Sequence, residues 1–242
     1  METLQLKKFV KKSYGLNIKS LKKLNGYDNE NYLLDSHEGK RFILKKYPFT
    51  KNNISLISSE NDCLIHLNKK SNNSYPLPIF SLNNEYLEII GSKKDKYIIR
   101  VLSYLKGNFL GEIQVTDDIL TSLGELVGNL SKHLKNYSND SISSRKWEWD
   151  IHYLNLNKKF LKYIEDPNER KIVLYFFQQF EETVFPMLDQ LRTSIIHNDT
   201  NEWNILKSKN GKLAIIDFGD LTYSQLVNEI AIAMTYASYD KK

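Results

Sequence analysis

The sequence predicts an α+β fold with two lobes, an N-terminal antiparallel sheet lobe with one helix (residues 1–105) and a mainly helical C-terminal lobe (residues 106–242). Three observations support this prediction. Short apolar runs separated by turn residues fill the first lobe, helical periodicity dominates the second, and a hairpin signal at Asn210-Gly211 interrupts those helices. With 41% hydrophobic and 12% aromatic residues in 242, the chain can form a substantial core.

The strands of the first lobe are predicted from apolar runs on either side of turn residues. The segment NYLLDSHEGKRFILKKY contains two such runs joined at Glu38-Gly39, and PIFSLNNEYLEII repeats the pattern around Asn83-Asn84. DKYIIRVLSYL predicts a further strand. A single helix is predicted between these strands, from near-helical spacing of Ile54, Ile57, Leu64 and Leu67.

The second lobe begins after the Gly-containing segment LKGNFLGEIQV. Apolar residues at helical spacing then predict an amphipathic helix with Thr116 as its N-cap, and residues 168–191 repeat the helical signal. The strand-like segments NILKS and LAIID follow, joined by Asn210-Gly211. We therefore expect a helical lobe that carries one embedded hairpin.

Composition excludes several classes of protein. The net charge of +5 is spread over scattered lysine pairs, so a nucleic-acid partner is not supported. Cys63 is the single cysteine, which rules out an internal disulfide and fits a reducing compartment. No apolar run approaches the about 18 residues of a membrane span, and the N-terminus lacks the apolar run of a signal peptide. We therefore expect a cytoplasmic protein without a membrane or nucleic-acid partner.

The chemistry of the chain is carried by two loops, one in IIHNDTNEWNIL and one in AIIDFGD. Because the two loops flank the same short hairpin, they are expected to lie close together. Transfer of a γ-phosphoryl group needs a held acceptor hydroxyl and Mg²⁺, which prefers oxygen ligands. Asn204 and Asp217 are the predicted metal ligands, and Asp199 is the predicted catalytic base. We interpret His197 as a residue that braces its loop.

A site for ATP also needs groups that bind the phosphates. The sequence lacks G-x-x-x-x-G-K-[ST], but Lys45 in RFILKKY lies on the third predicted strand, where a kinase lysine is expected. A carboxylate of the following helix should hold this lysine, and both Glu60 and Asp62 are candidates. The loop in LNGYDNENYLL, with Gly26 and the amides of Asn29 to Asn31, is expected to lie near phosphate.

On these motifs the chain resembles the aminoglycoside phosphotransferase and choline kinase family, which has a protein-kinase-like fold. It is most similar to the branch with hydroxylysine kinase and the kinase-like domains fused to aminotransferases, through the segments IIHNDTNEWNIL, IIDFGDLTYSQLVNEIAIAMTYA and YIIRVLSYLKGNFL. The resemblance implies ATP and Mg²⁺ as cofactors. It also implies backbone contacts from Ser103 to Leu105 to adenine, phosphate contact by Lys45, and the roles given above to Asp199, Asn204 and Asp217.

The sequence departs from the family pattern at three places. Asn198 stands where many members have glycine, and the helix carboxylate aligns better with Asp62 than with Glu60. The chain also ends 23 residues after Gly219, whereas family members continue with helices that complete the acceptor pocket. The resemblance therefore predicts a C-terminally shortened lobe, in which the pocket is built differently or completed by a partner domain.

Two other functions compete with a small-molecule kinase. A protein kinase is disfavoured because Asn198 replaces the expected Arg and no A-P-E segment follows Asp217. A catalytically weak or inactive nucleotide-binding regulatory module is the second alternative.

The predicted acceptor carries a hydroxyl and an amine, because Asp220, Glu229 and Asp150 are acidic residues near the motifs that could pair with an ammonium group. We assign no role to the tryptophans of WEWDIHYLNL.

Overall fold

The computed structural model describes residues 3–26, 29–71, 74–92 and 95–238. Contacts divide the chain into two compact units, Met1–Asn108 with Leu206–Ile216, and Phe109–Ile205 with Asp217–Lys242. The hairpin around Asn210-Gly211 forms as the sequence predicts. Its strands are β8 (Ile205–Lys207) and β9 (Leu213–Ile215), and Gly211 in the turn has a φ of 82°. Its residues belong to the first unit, whereas the sequence places them in the second lobe. The lobe boundary after Leu105 stays a prediction.

The first unit is an antiparallel sheet with a helix before it and one within it. Helix α1 is Thr3–Tyr14 and helix α2 is Lys51–Asn68. The strands are β1 (Ile18–Leu24), β2 (Glu30–Ser36), β3 (Arg41–Pro48), β4 (Glu88–Gly91) and β5 (Lys96–Ser103), in the spatial order β1-β2-β3-β5-β4. The predicted hairpin at Gly39 and the predicted helix at α2 are thereby confirmed.

The two faces of this sheet have different roles. Helix α1, which the sequence analysis did not identify, packs Leu6, Val10 and Tyr14 onto a core that includes Leu44 of β3. Successive strand residues point to opposite faces, so Lys45 lies on the other face. Its partner across the sheet is Arg100 of β5, whose guanidinium binds Glu60 of α2. Lys45 therefore lies on the face that α2 covers.

The predicted hairpin at Asn83-Asn84 is wrong. Ile79 and Leu77 on its first arm bond to the backbone of β5, and β4 on its second arm pairs with β5 as well. The turn itself exists, with the Asn84 N–H donating to the Ser81 carbonyl and a φ of 58° at Asn84. The Ser81 N–H donates to the Glu85 carbonyl at 2.8 Å beside the turn, but further along the two arms bond to β5, a longer strand.

The second unit is mainly helical. Helix α3 (Asp117–Leu134) starts at the predicted N-cap Thr116, whose hydroxyl accepts from the Ile119 N–H, and packs against β7 and α6. The strands of this unit are β7 (Thr193–Ile196) and β10 (Thr222–Gln225). The neighbouring short strands are β6 (Asn108–Phe109), β8 (Ile205–Lys207) and β9 (Leu213–Ile215), and the hairpin residues from Leu206 to Ile216 belong to the first unit. The other helices are α4 (Asp140–Ser143), α5 (Pro167–Gln179) and α6 (Leu226–Ser238). Strands β6, β8 and β9 form a small sheet, and β7 pairs with β10.

The helical signal at residues 168–191 corresponds to a broken helix. Helix α5 ends at Gln179 and continues as a π-helical turn and then a 3₁₀ turn that starts at Phe185-Pro186. Much of the expected apolar face is exposed, including Ile172 and Phe176. Within the described ranges, no helix combines the length and the apolar character needed to span a bilayer.

Candidate active site

The candidate site is built on the antiparallel pair of β7 and β10. Thr222 at the start of β10 lies opposite Ile196 at the end of β7. The loop that leaves β7 (residues 197–204) and the loop that enters β10 (residues 217–220) therefore lie at the same end of this pair. The rings of His197 and Phe218, 4.6 Å apart and nearly perpendicular, join the two loops directly. The strand pairing thus brings Asp199, Asn204 and Asp217 into one region.

The side chain of Asp199 is held by two amides of its own loop. Asn201 Nδ2 donates to Asp199 Oδ1 at 2.7 Å, and Asn204 Nδ2 donates to Asp199 Oδ2 at 2.7 Å. Asn204 also donates to the Asp199 carbonyl at 2.9 Å. The carboxylate is therefore fixed in orientation while its residue remains half-buried. A general base needs this combination of a defined position and access to substrate.

The oxygens of Asn204 and Asp217 suit a magnesium ion. Because Asn204 Nδ2 donates to Asp199, its Oδ1 is the amide atom that can ligate a cation. Asp217 is exposed and has a φ of 62°, a conformation that a residue other than glycine rarely adopts outside functional turns. Across the described ranges, no group of three or more His, Cys, Asp or Glu side chains could hold a metal. In proteins Mg²⁺ is usually bound by one or two carboxylates together with substrate phosphates and water.

Two residues brace the predicted catalytic loop (residues 197–204) from behind. The Asp199 N–H donates to His197 Nδ1 at 3.2 Å, so His197 supports the loop as the sequence predicts. Glu229 of α6, which is 1% exposed, accepts from the N–H groups of His197 (2.5 Å) and Asn198 (3.2 Å). The Thr200 hydroxyl donates to the Glu229 carbonyl. Glu229 was predicted to be able to pair with an ammonium group, but its carboxylate holds the loop instead.

Asp150, like Glu229, accepts hydrogen bonds from donors inside the protein. It is fully buried and accepts from the hydroxyls of Thr222 (2.7 Å) and Ser224 (2.8 Å) and from the His152 N–H. Asp150 therefore anchors β10, and the expectation that it pairs with an ammonium group is not supported. A buried carboxylate needs such donors to offset its loss of hydration.

Asp220 is the remaining member of the acidic group that the sequence identified. Burial raises the pKa of Asp220 to about 6, and the negative charge of Asp199 adds to this effect. Arg145 opposes the shift and fixes the turn, because it donates to the carbonyls of Gly219 and Leu221. Its guanidinium lies 3.3 Å from the centre of the Trp147 ring. Arg145 is a support of the site that the sequence analysis missed.

The predicted nucleotide-binding residues lie in the first unit. Lys45 is buried in β3, opposite the fully buried Arg100. Arg100 donates to Glu60 at 2.5 Å, to Asn61 at 3.0 Å and to the Tyr47 hydroxyl at 2.7 Å. Asp62, in contrast, is on the exposed side of α2. The face shared with Arg100 favours Glu60 over Asp62 as the carboxylate near Lys45, and the role of Asp62 stays a prediction.

The residues predicted to contact adenine and phosphate also lie in the first unit. The Ser103 N–H donates to the Leu77 carbonyl and the Ser103 hydroxyl accepts from the Leu77 N–H, both at 2.8 Å. Leu105 follows β5 and is half-buried. Asn31 Nδ2 donates to the Asn25 carbonyl at 3.4 Å. Tyr27 and Asp28 of the predicted phosphate loop lie outside the described residues. The nucleotide contacts of these residues remain predictions.

Comparison with known families gives the chain its class. The model of the phosphotransferase enzyme family, APH, matches residues 20–241. The chain belongs to this family. Hydroxylysine kinase from Xenopus laevis is 25% identical over 261 aligned positions, which cover 96% of this chain and 68% of the relative. The family, and the small-molecule kinase class predicted from the sequence, are therefore confirmed.

Solved structures confirm the predicted kinase-like fold. Amicoumacin kinase, in complex with AMP-PNP, Ca²⁺ and Ami, matches with a TM-score of 0.73 at 19% identity, over 99% of this chain and 70% of that chain. A microcompartment-associated aminopropanol kinase matches with a TM-score of 0.64 at 18% identity, over 99% of this chain and 76% of that one. At these identities the likeness establishes the fold, and residue roles must be argued from the site.

Proposed function

We propose that this protein transfers the γ-phosphoryl group of ATP to the hydroxyl of a small molecule that also carries an amine, such as an amino alcohol, a hydroxy amino acid or an aminoglycoside. The observation that carries this proposal is the clamped carboxylate of Asp199, beside the loop of Asp217. Relatives named for hydroxylysine and aminopropanol support an acceptor with these two groups. The AMP-PNP and Ca²⁺ in amicoumacin kinase support a nucleotide with a divalent cation.

The residues of the second unit have distinct parts in the proposed reaction. Asp199 orients the acceptor hydroxyl and takes its proton as the bond to phosphorus forms. Asn204 Oδ1 and the Asp217 carboxylate hold Mg²⁺, which when bound neutralises charge on the phosphates. Asn201 and Asn204 keep the base in position throughout. In the first unit, Lys45 binds the phosphates, Asp62 or Glu60 holds Lys45, and Ser103 with Leu105 contacts adenine.

The setting of the reaction is also part of the proposal. Cys63 is a free, buried cysteine, which suits a protein of the reducing cytoplasm. The acceptor is a small molecule, with neither a nucleic acid nor a membrane as partner. The alignments cover 68% of hydroxylysine kinase and 70% of amicoumacin kinase. That a partner domain contributes to the acceptor pocket remains a proposal.

Replacing Asp199 by Asn tests the function directly. An enzyme should lose about 10²-fold to 10⁴-fold in turnover, the usual contribution of a general base, while its nucleotide affinity changes little. Turnover is measured by coupled ADP release with amino alcohols, hydroxy amino acids and aminoglycosides, and affinity by calorimetric titration with an ATP analogue. Asp189→Asn, at an exposed site of the same unit, is the matched control. Nucleotide binding without turnover in the unchanged protein would favour the regulatory module.

A further inference from the structure

Glu202, on the catalytic loop, has an acceptor atom without a donor. Its Oε2 is shielded from solvent and has no hydrogen-bond partner in the described part of the chain. The neighbouring polar side chains of the loop are engaged, since Asn201 and Asn204 both donate to Asp199. A shielded carboxylate oxygen without a donor is unfavourable unless something else supplies one. Glu202 is three residues from the proposed base, so a donor bound here would belong to the acceptor molecule.

The position of Glu202 is set by close packing on Gly111. The Gly111 N–H donates to the Glu202 carbonyl at 3.1 Å. A Cβ at Gly111 would lie 3.0 Å from the Glu202 Cγ and 3.0 Å from two atoms of the Trp203 ring, which is tighter than normal contact. Glycine therefore allows both side chains to lie against this backbone. The Trp203 ring also packs on Phe109, with 5.9 Å between ring centres, yet Trp203 remains 52% exposed.

Helix α6 carries a second aromatic side chain, Tyr236, within electrostatic reach of Glu202. Glu229 of this helix contacts the start of the catalytic loop, and Tyr236 lies seven residues further along, on the same side of the helix and about 10 Å away. Burial raises the pKa of Tyr236, and the charges of Asp199 and Glu202 raise it further. The phenol therefore lies within electrostatic reach of both carboxylates. Its ring is partly exposed, like that of Trp203.

A carboxylate beside one accessible aromatic ring, with a second ring within its electrostatic reach, is a group that can recognise an ammonium ion, through a charged hydrogen bond and cation–π contact. The other candidates are less suitable, because Asp150 accepts from internal donors at both oxygens. Glu229, whose Oε1 also lacks a donor among the described residues, is 1% exposed and accepts from two backbone N–H groups at Oε2. We propose that Glu202, with Trp203 and Tyr236, binds the ammonium group of the acceptor whose hydroxyl is held by Asp199. This inference rests on the proposed function. Because Asp199 and Glu202 are three residues apart, their Cα atoms are at most about 11 Å apart, so one small molecule with both groups could reach both side chains.

The test compares amino alcohols with the neutral diols of the same carbon skeleton. In the Glu202→Gln variant, the KM for amino alcohols should rise more than tenfold, and the preference for amine over diol should fall towards unity. The KM for ATP should stay within twofold, which also shows that the variant is folded. Trp203→Leu should raise the KM for amino alcohols, and Trp203→Phe should partly restore it. Glu165→Gln, at an exposed site of the same unit, is the control and should match the unchanged protein.

The outcomes separate this inference from the function on which it rests. If the unchanged protein phosphorylates amino alcohols and Glu202→Gln keeps the full preference for the amine, the inference is overturned and the proposed function stands. An equal rise in KM for amino alcohols and diols would also overturn it, because that result indicates a general disturbance of the loop. If the unchanged protein phosphorylates no acceptor, the proposed function fails and the inference fails with it.

Discussion

Replacing Glu229 by alanine tests how the catalytic loop is held in place. Glu229 Oε2 accepts from two buried backbone N–H groups, those of His197 at 2.5 Å and Asn198 at 3.2 Å. Alanine removes the acceptor and leaves both donors without a partner in a buried site. The change in the free energy of unfolding should therefore reflect the loss of these two hydrogen bonds.

The expected loss of stability in Glu229→Ala follows from the cost of buried N–H donors that have no acceptor. Each buried donor left without an acceptor costs about 1–3 kcal/mol, and loss of a carboxylate that itself has one unpartnered oxygen offsets part of this. We therefore expect Glu229→Ala to lower the free energy of unfolding by about 3 kcal/mol. Glu229→Gln keeps an oxygen acceptor but loses the charge, which halves the strength of such bonds, so it should cost about 1 kcal/mol.

Urea unfolding followed by tryptophan fluorescence measures these differences. Glu125→Ala, at an exposed position of α3, is the control and should stay within about 0.5 kcal/mol of the unchanged protein. Turnover should fall further in Glu229→Ala than in Glu229→Gln, because Asp199 follows the braced segment directly. A free energy of unfolding for Glu229→Ala equal to that of the control would refute the argument that this carboxylate supports the loop.

Two further predictions concern the first unit. Arg100→Leu should destabilise the first unit by about 3–5 kcal/mol, because it leaves the Glu60 carboxylate buried and unpaired. Adding Glu60→Leu to the same chain should restore most of the lost stability. Urea unfolding in which the effects of the two substitutions add would contradict this prediction. Hydrogen bonds from Lys46 and Tyr32 lower the pKa of Glu30 from 4.5 to about 2, so its stabilising effect is present above pH 4.5 and is lost as the pH falls towards 2. Glu30→Gln should therefore be less stable than the unchanged protein at pH 6 and equally stable near pH 2. The difference at pH 6 should be at most about 1 kcal/mol, because the Glu30 side chain is 36% exposed. The same stability difference in unfolding experiments at both pH values would contradict this prediction.

The sequence predicted those parts of the site that depend on nearby residues. Asp199 and Asn204 are on one loop, and the amide of Asn204 binds the carboxylate of Asp199 directly. The hairpin at Asn210-Gly211 could be predicted because the turn chemistry is local. The expectation that the loops of Asp199 and Asp217 lie together was also sound, although the pairing of β7 with β10 joins them more directly than that hairpin.

The supports of the site could not be predicted because their partners are distant in sequence. Glu229 contacts His197 across 32 residues, Asp150 contacts Thr222 across 72, and Arg145 contacts Gly219 across 74. No local spacing distinguishes these residues from other charged ones. The preference for Glu60 over Asp62 likewise depends on Arg100, whose position follows from the register of β3 and β5.

The acidic residues of the second unit show why the type of residue alone does not determine its role. Asp150 and one oxygen of Glu229 accept from buried hydroxyl and N–H donors, which makes both residues structural. Asp217 is exposed in a strained turn, where its oxygens can reach a cation. Glu202 lies between these cases, because its oxygen is shielded but has no donor among the residues that the structure describes. The proposed ammonium group of the acceptor, bound beside the proposed base, would supply that donor.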